Sequence, residues 1–555
     1  MDEALTQAAA RQNIAPQIHI WMDDMSKTKC LSLTLSTLAL SVASPAMADI
    51  TADELWSVWQ NQATQFGNSI SAEAISTGTG LTLTNITNSF SIEAVTLTSI
   101  IDEVTMTNQP DGSVAITVAD GLTYRVTGIE GGDAPDAVTL RFAIAGFSGT
   151  ASGSAQNLTL TSGFDQIALT DISFDGIDPS EVPDMDYTLT LDGYNTTATY
   201  DFTDPALTGF TSSASLGAFT LALDAFEPAG SSGATPAQPV PQQPAPGKQV
   251  TEAPAPTSGG GGGGNGEAHL DIDLANLDAT AAGTIPRGVV STTLESLPAG
   301  TSVNGEMSYT SANVAFMFQD GRDMIDVSAS NEGGSIGFGF SNDAISYALA
   351  ANGVSMSVAA ADLPFPIAAT AESTGMTIDI PLSRQDQPSP FAAAIAYRGV
   401  SVDESLWAMV DPGRAVPRTP ATVVVDLTGM VQLFVDIMLL NPEDMTAPPG
   451  ELRSMTLNEL QVSFGGADLT GTGDVTFAPG QMMPMPVGSV DLRLTGANGL
   501  IQSLSNGGLL PPEQAGMARG MLGMFAIPGA SADSFTSSIE FGPGGSITAN
   551  GVPLQ

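Results

Sequence analysis

The sequence predicts a mainly β fold: large antiparallel sheets, either one curved sheet or a sandwich, with a few short helices and a Pro/Gly-rich linker in mid-chain. Three observations carry that expectation. Apolar residues alternate with polar or small ones along most of the chain, the mark of half-buried strands. Turn signals such as Pro110-Asp111-Gly112, Ala119-Asp120-Gly121 and Pro543-Gly544-Gly545 punctuate the alternation. Stretches with helical spacing are few and short.

Before any strand, residues 25–48 read as an export signal. Lys27 and Lys29 precede the apolar run Leu31 to Ala43, which Ser44-Pro45 breaks ahead of Ala46-Met47-Ala48. The run is too short for a membrane-spanning helix. The pattern predicts cleavage after Ala48 and a periplasmic protein, with a secreted or surface location as the alternative. Residues 1–24 then read as an extension ahead of a start at Met22 or Met25.

The remainder divides into an N-terminal β-rich half (49–227), a disordered linker (228–267) and a C-terminal β-rich half (268–555). The linker is rich in Pro, Ala and Gln and then in Gly, with nothing to anchor a core. The two halves read equally well as separate domains or as one fold with an inserted loop.

Strands follow from alternation in each half. Val114-Ile116-Val118, Val138-Leu140-Phe142-Ile144, Tyr187-Leu189-Leu191 and Phe219-Leu221-Leu223 mark the first. Leu270-Ile272-Leu274, Val314-Phe316-Phe318, Ile336-Phe338-Phe340, Ile345-Tyr347-Leu349, Met376-Ile378-Ile380, Val423-Val425-Leu427 and Val490-Leu492-Leu494 mark the second. Roughly twenty such strands imply sheets with one buried and one wet face.

Helices are predicted over Ala52 to Phe66, with Thr51 as N-cap, over Asp403 to Val410 and over Val431 to Leu440. A helical pair follows at Gly499 to Leu504 and Pro512 to Phe525, split by Gly507-Gly508. Asp53-Glu54-Leu55-Trp56 and Asp403-Glu404-Ser405-Leu406-Trp407 echo each other. In both, acids complement a helix dipole and a Trp docks the helix on a sheet.

Composition removes most chemistries. The chain has 59 acidic and 15 basic residues, a net charge of −44, which repels nucleic acid and anionic lipid. The only cysteine, Cys30, lies within the export signal, so no thiol, disulfide or thiolate site is expected downstream. His269 and Lys248 are the single histidine and lysine beyond residue 48. Imidazole catalysis, multi-His metal sites and Schiff bases therefore have no material to work with. No catalytic, cofactor-binding or metal-ligating residue is assigned, and no cofactor is expected.

Four patterns invite a sharper reading. Gly333-Gly334-Ser335-Ile336-Gly337 fits a hydrolase nucleophile elbow, but it leads into strand alternation and has only His269 as a base, so a turn between strands is expected. Met517, Met521 and Met524 share a helix face, and Met482, Met483 and Met485 cluster in a loop. Thioethers can hold Cu(I), but core filling is the expectation for the helix. Asp271-Asp273 with Asp278, Asp184-Asp186, and Asp171, Asp175 and Asp178 offer oxygen ligands for calcium without the spacing of a known loop. Solvated acids are expected, and paired carboxylates lack the aromatic residues that sugar hydrolysis uses. An outer-membrane barrel is disfavoured by an aromatic content of 6%.

The segments LTGANGLIQSLSNGGLLPPEQAGMARGMLGMFAIPG (494–529) and DSFTSSIEFGPGGSITANGVPL (533–554) resemble the alphaproteobacterial "domain of unknown function 2125" family. DESLWAMVDPGRAVPRTPATVVVDLTG (403–429) and ADELWSVW (52–59) are similar to it as well. The resemblance implies most of 49–555 and brings no active site. More distantly, the chain resembles AsmA-like envelope proteins, whose long sheets curl into apolar grooves for lipid. The functional expectation is a non-catalytic exported envelope protein that binds lipid or another apolar ligand, or an envelope protein partner. The alternatives are an adhesin-like structural protein with calcium-binding acidic loops and, distantly, a carboxylate-only hydrolase.

Overall fold

Alternation along the chain produces strands that pair in one 26-stranded sheet, antiparallel at every described pairing. The computed structural model describes residues 49–65, 67–92, 94–119, 121–129, 135–178, 182, 184–226, 266–287, 299–320, 323–439, 448–480 and 485–554. The expected export signal (25–48), Met482, Met483 and all but the last two residues of the expected linker lie outside them.

Helix α1 (Ala52–Gln65) opens the fold. Thr51 and Glu54 cap it reciprocally: the Glu54 amide donates to Thr51 Oγ1 at 3.3 Å and the Thr51 amide to Glu54 Oε2 at 3.0 Å. Strands β1 (Ser69–Ser76), β2 (Gly80–Ile92) and β3 (Val95–Asn108) form a meander. Two short strands then stand end to end on β3: β4 (Val114–Val118) and β5 (Leu122–Thr127). They continue into β6 (Ala137–Ala145), which pairs with β5, and β7 (Ser148–Gly153), which pairs with β4. Both rest on β8 (Asn157–Asp175), followed by β9 (Asp184–Asp201), β10 (Leu207–Phe226) and β11 (Gly266–Pro286).

The boundary read from the sequence runs through one of the longest ladders. β10 pairs with β11 from Leu207–Pro286 to Phe226–Glu267, so the sheet continues from one half of the chain into the other. Gly266 and Glu267, placed in the linker by composition, are strand residues because Asp320 gives Gly266 a ladder partner and Phe226 and Gln319 flank Glu267.

The split arrangement then repeats. β12 (Ser302–Tyr309) and β13 (Ser311–Asp320) share β11, while β14 (Asp323–Asn331) and β15 (Gly334–Ser341) share β16 (Ala344–Ala360). β17 (Ile367–Pro381), β18 (Ser389–Val402), β19 (Ala421–Leu433), β20 (Gly450–Phe464), β21 (Ala467–Phe477) and β22 (Pro486–Thr495) pair in order. β23 (Ile527–Pro528), β24 (Ser534–Phe541), β25 (Ile547–Ala549) and β26 (Val552–Pro553) finish the edge, with β24 on β22.

Helix α2 (Glu404–Val410) lies between β18 and β19, and α3 (Ala497–Asn506) and α4 (Pro512–Phe525) lie between β22 and β23. Asp403 caps α2, accepting from the Ser405 amide at 2.8 Å. Asp533 caps α3 from a distant loop, accepting from the amides of Asn498 and Gly499 at 3.0 Å each.

One expected helix is corrected. Residues 431–433 extend β19, because Val431 and Leu433 find ladder partners in Leu452 and Gly450, and only Ile437–Leu439 form a single 3-10 turn. Cross-strand partners override a marginal helical spacing.

Several long strands contain one left-handed residue partway along: Asn85 (φ 53°), Gly193 (φ 67°), Asn276 (φ 47°), Gly353 (φ 56°) and Gly399 (φ 64°). Gly193 and Asn276 lie in neighbouring rows of β9 and β11, with Gly217 of β10 between them. Apolar positions change parity across these residues. Leu81 and Leu83 precede Asn85 and Ile86 follows it, yet all three enter one core. A left-handed residue rotates the strand, so the alternation restarts on the same face.

That core is gathered at the N-terminal end. Ile50, Leu55, Trp56 and Val58 press onto Leu83, Met106, Ile116, Leu158 and Leu160, nearly all of them sealed from solvent. Each fully buried Leu or Ile is worth about 1.5–3 kcal/mol.

Candidate functional site

Directly opposite residues in an antiparallel ladder share a face, so the core can be followed strand by strand. Val114 faces Ala151, Ala151 faces Leu160, Leu160 faces Ala198 and Ala198 faces Ser212. Ser212 faces Ala281, Ala281 faces Gly305, and Gly305 faces Phe338. From Phe338 the path runs to Tyr347, Ile378, Ala393 and Leu427. The face that forms the core beneath α1 is therefore continuous with the face bearing the large apolar residues of β15 to β20.

What changes along the path is cover. Under α1 the face is sealed, with Leu83 and Leu158 at 0% exposure. Across the middle it narrows to small residues. From β15 onward large side chains return with no covering element among the described residues: Phe338 is 46% exposed, Ile380 44%, Tyr397 45% and Val423 42%. Ile345, Tyr347, Ile395, Val462 and Phe464 are exposed to a similar degree. Ladder partners tie them into one surface: Ile345 to Ile380, Met376 to Ile395, Tyr397 to Val423 and Val423 to Val462. At about 4.8 Å per strand, the six strands β15 to β20 present an apolar strip about 24 Å wide. Contiguous apolar surface of this extent marks a binding or interaction face.

The opposite face is polar. Ser346 lies against Asp379, and Ala394 against Asp426. Asp271 and Asp273 share this face as expected and line a shallow depression with Asn313, Ser328, Ser330 and Ser355. Among the described residues no group of three or more His, Cys, Asp or Glu is placed to hold a metal ion. Asp171 and Asp175 pair instead with Arg141 and Arg125, the latter at 2.7 Å. Asp184 and Asp186 lie on β9, and Asp186 stands directly opposite Asp224.

His269 resolves part of that crowding. Its Nδ1 bonds Asp224 and its Nε2 bonds Glu267 at 2.7 Å, so both ring nitrogens are engaged by carboxylates. Burial opposes the charged ring, but the bonds to Asp224 and Glu267 outweigh it and hold the imidazole pKa above its usual value. With both nitrogens occupied, the histidine is a structural cation between acids. Gly333 closes the turn from β14, and Gly334, Ser335, Ile336 and Gly337 are already strand residues of β15, so the motif is no nucleophile elbow.

A second polar construction lies beside the open strip. Asp411, 1% exposed, accepts from the amides of Val416 (2.8 Å) and Ala415 (3.0 Å) and from Arg418 Nη1 (2.7 Å). The bond from the Val416 amide, then Arg418 and the Ala415 amide, lower its carboxyl pKa to about 2. The Arg418 guanidinium lies 4.3 Å over Trp407, and Trp407 stacks on Phe464. This chain of contacts fixes α2 against β20. It was not visible in the sequence, which marked only the helix itself, Asp403 to Val410.

Residues 316–554 match the family model described as "Uncharacterized protein conserved in bacteria (DUF2125)". This part of the chain is similar to that family. No curated protein and no solved structure matches the chain. The match is narrower than the resemblance read from the sequence. It holds the segments 403–429, 494–529 and 533–554 but not the Ala52 to Trp59 opening. The exposed residues from Phe338 to Phe464, the Asp411–Arg418–Trp407 contacts and the α3–α4 pair all fall within it.

Proposed function

We propose that the chain is a non-catalytic, exported envelope protein that holds an apolar ligand, a lipid acyl chain being the fitting class, against the open face of β15 to β20. The observation that carries this reading is continuity: the surface that makes a sealed core at one end of the sheet is left uncovered, and still armed with Phe, Tyr, Ile and Val, further along. A width of about 24 Å exceeds the ~15 Å that acyl chains span in one leaflet of a ~30 Å hydrocarbon core. Export rests on the Lys27 to Ala48 pattern.

The test is lipid extraction of the purified full chain followed by mass spectrometry, beside an Ile380→Asp/Ile395→Asp variant. Both side chains are already about 40% exposed, so the variant should fold. Lipid recovered with the parent and at least tenfold less with the variant is the expected result. Equal amounts from both, or none from either, would remove the reading.

A further inference from the structure

The sequence places Met517, Met521 and Met524 on one face of a helix and reads them as core. The structure puts them on the outside. Helix α4 packs through Ala515, with Ala518 and Leu522 half-buried on the same side, and Arg519 is tied to Gln502 of α3 at 3.1 Å. The opposite face presents Met517, Met521 and Met524 at 61%, 55% and 65% exposure. A Cβ at Gly516, Gly520 or Gly523 would meet no atom of the other described residues within 4 Å, so the surface between the thioethers is shallow. Phe525 continues it: its carbonyl accepts from Ser537 Oγ at 2.7 Å and from Asn550 Nδ2 at 3.0 Å, which brings Ile527 and Val552, both over half exposed, to the same sheet edge.

Charge says what such a face meets. In a chain of net charge −44, residues 495–532 carry one acid, Glu513, and one base, Arg519. This end is neutral while the rest is strongly acidic. A second copy would bring a second acidic body into close approach, and a basic partner would find a single acid here, Glu513, to engage. The side chains that anchor protein interfaces, Trp, Tyr and Arg, are absent apart from Arg519, which is already engaged, and there is no relief for a shaped partner to enter. A fluid apolar phase needs neither shape nor charge. Flexible thioethers adapt to it. No helix among the described residues is long and apolar enough to cross a membrane, and α4, about 21 Å long, would lie in the interface plane.

We propose that the outer face of α4, with Phe525 and Ile527, is a docking surface for an uncharged, zwitterionic lipid bilayer. The surface goes beyond the ligand reading above and does not depend on it: a chain that binds vesicles but carries no extractable lipid leaves this surface standing.

Flotation of the full chain with phosphatidylcholine vesicles tests it, beside a Met517→Glu/Met521→Glu/Met524→Glu variant and its Met→Leu counterpart. The parent and the Leu variant should float, the Glu variant at least tenfold less, and 0.5 M salt should leave the parent's binding unchanged. Met409→Glu, at a methionine 62% exposed on α2, should float like the parent, and an unchanged melting temperature will show that the Glu variant is folded. A parent that stays at the bottom of the gradient, or a Glu variant that floats as well as it does, overturns the proposal. So does light scattering that shows a dimer abolished by the Glu substitutions.

Discussion

Leu83 and Ile86, three residues apart on β2, enter the same core, at 0% and 7% exposure. In an uninterrupted strand an odd separation puts two side chains on opposite faces. Asn85, at φ 53°, makes the difference. It turns the strand once, and the apolar pattern resumes one position out of step.

That conformation yields a prediction. Asn85→Gly should leave stability nearly unchanged, since glycine adopts positive φ freely. Asn85→Val should cost about 1–2 kcal/mol, because a β-branched residue resists the left-handed region. Urea unfolding of the two variants against the parent measures both, and equal midpoints for Val and Gly would refute the role given to Asn85.

Cover decides the energetics of the apolar face. Leu83→Ala, beneath α1, should lose about 2–5 kcal/mol through transfer and cavity terms. Ile380→Ala, on the open strip, should cost less than about 1 kcal/mol, because the side chain is already 44% exposed and leaves no cavity. Similar losses at the two sites would mean that the open strip is packed.

His269 sets a pH dependence. Its pKa is raised in the folded state, so the stabilisation is fully present below the unfolded value of 6.5. It is lost as pH rises through the higher folded value. Melting temperature should therefore fall across that window in the parent and stay flatter in His269→Ala. A parent profile identical to the variant's would dismiss the charged histidine.

Asp411 works with the opposite sign. Its folded pKa of about 2 lies below the ordinary carboxyl value of 3.8. The stabilisation is present above pH 4 and disappears as pH falls from 4 towards 2. Asp411→Asn should remove that acid-limb loss and lower the melting temperature at neutral pH, because Arg418 loses its nearer carboxylate, at 2.7 Å, and keeps Glu404 at 3.5 Å. The near-ultraviolet circular dichroism of Trp407, stacked between Arg418 and Phe464, should change with it.

The local order of this protein was written in its residues. Period-2 alternation marked the strands, Thr51 and Glu54 the start of α1, and Asp403 the start of α2, because these depend on neighbours a few positions away. The third helix failed for the complementary reason: Val431 to Leu433 answer to Leu452 and Gly450, which no local spacing reveals. Acids at 171 and 175 were visible as a cluster, but their pairing with Arg141 and Arg125 depends on which strands lie side by side.

What the sequence determined alone is the β character, the poverty of catalytic side chains and the acidic balance, since each follows from residue type and short-range pattern. Tertiary structure decided which apolar residues are covered. Phe338 and Leu158 alternate alike in sequence and share one face of one sheet, yet α1 closes over the second and no described element closes over the first. Burial is set by what the chain folds back upon, and that is a property of the whole ladder.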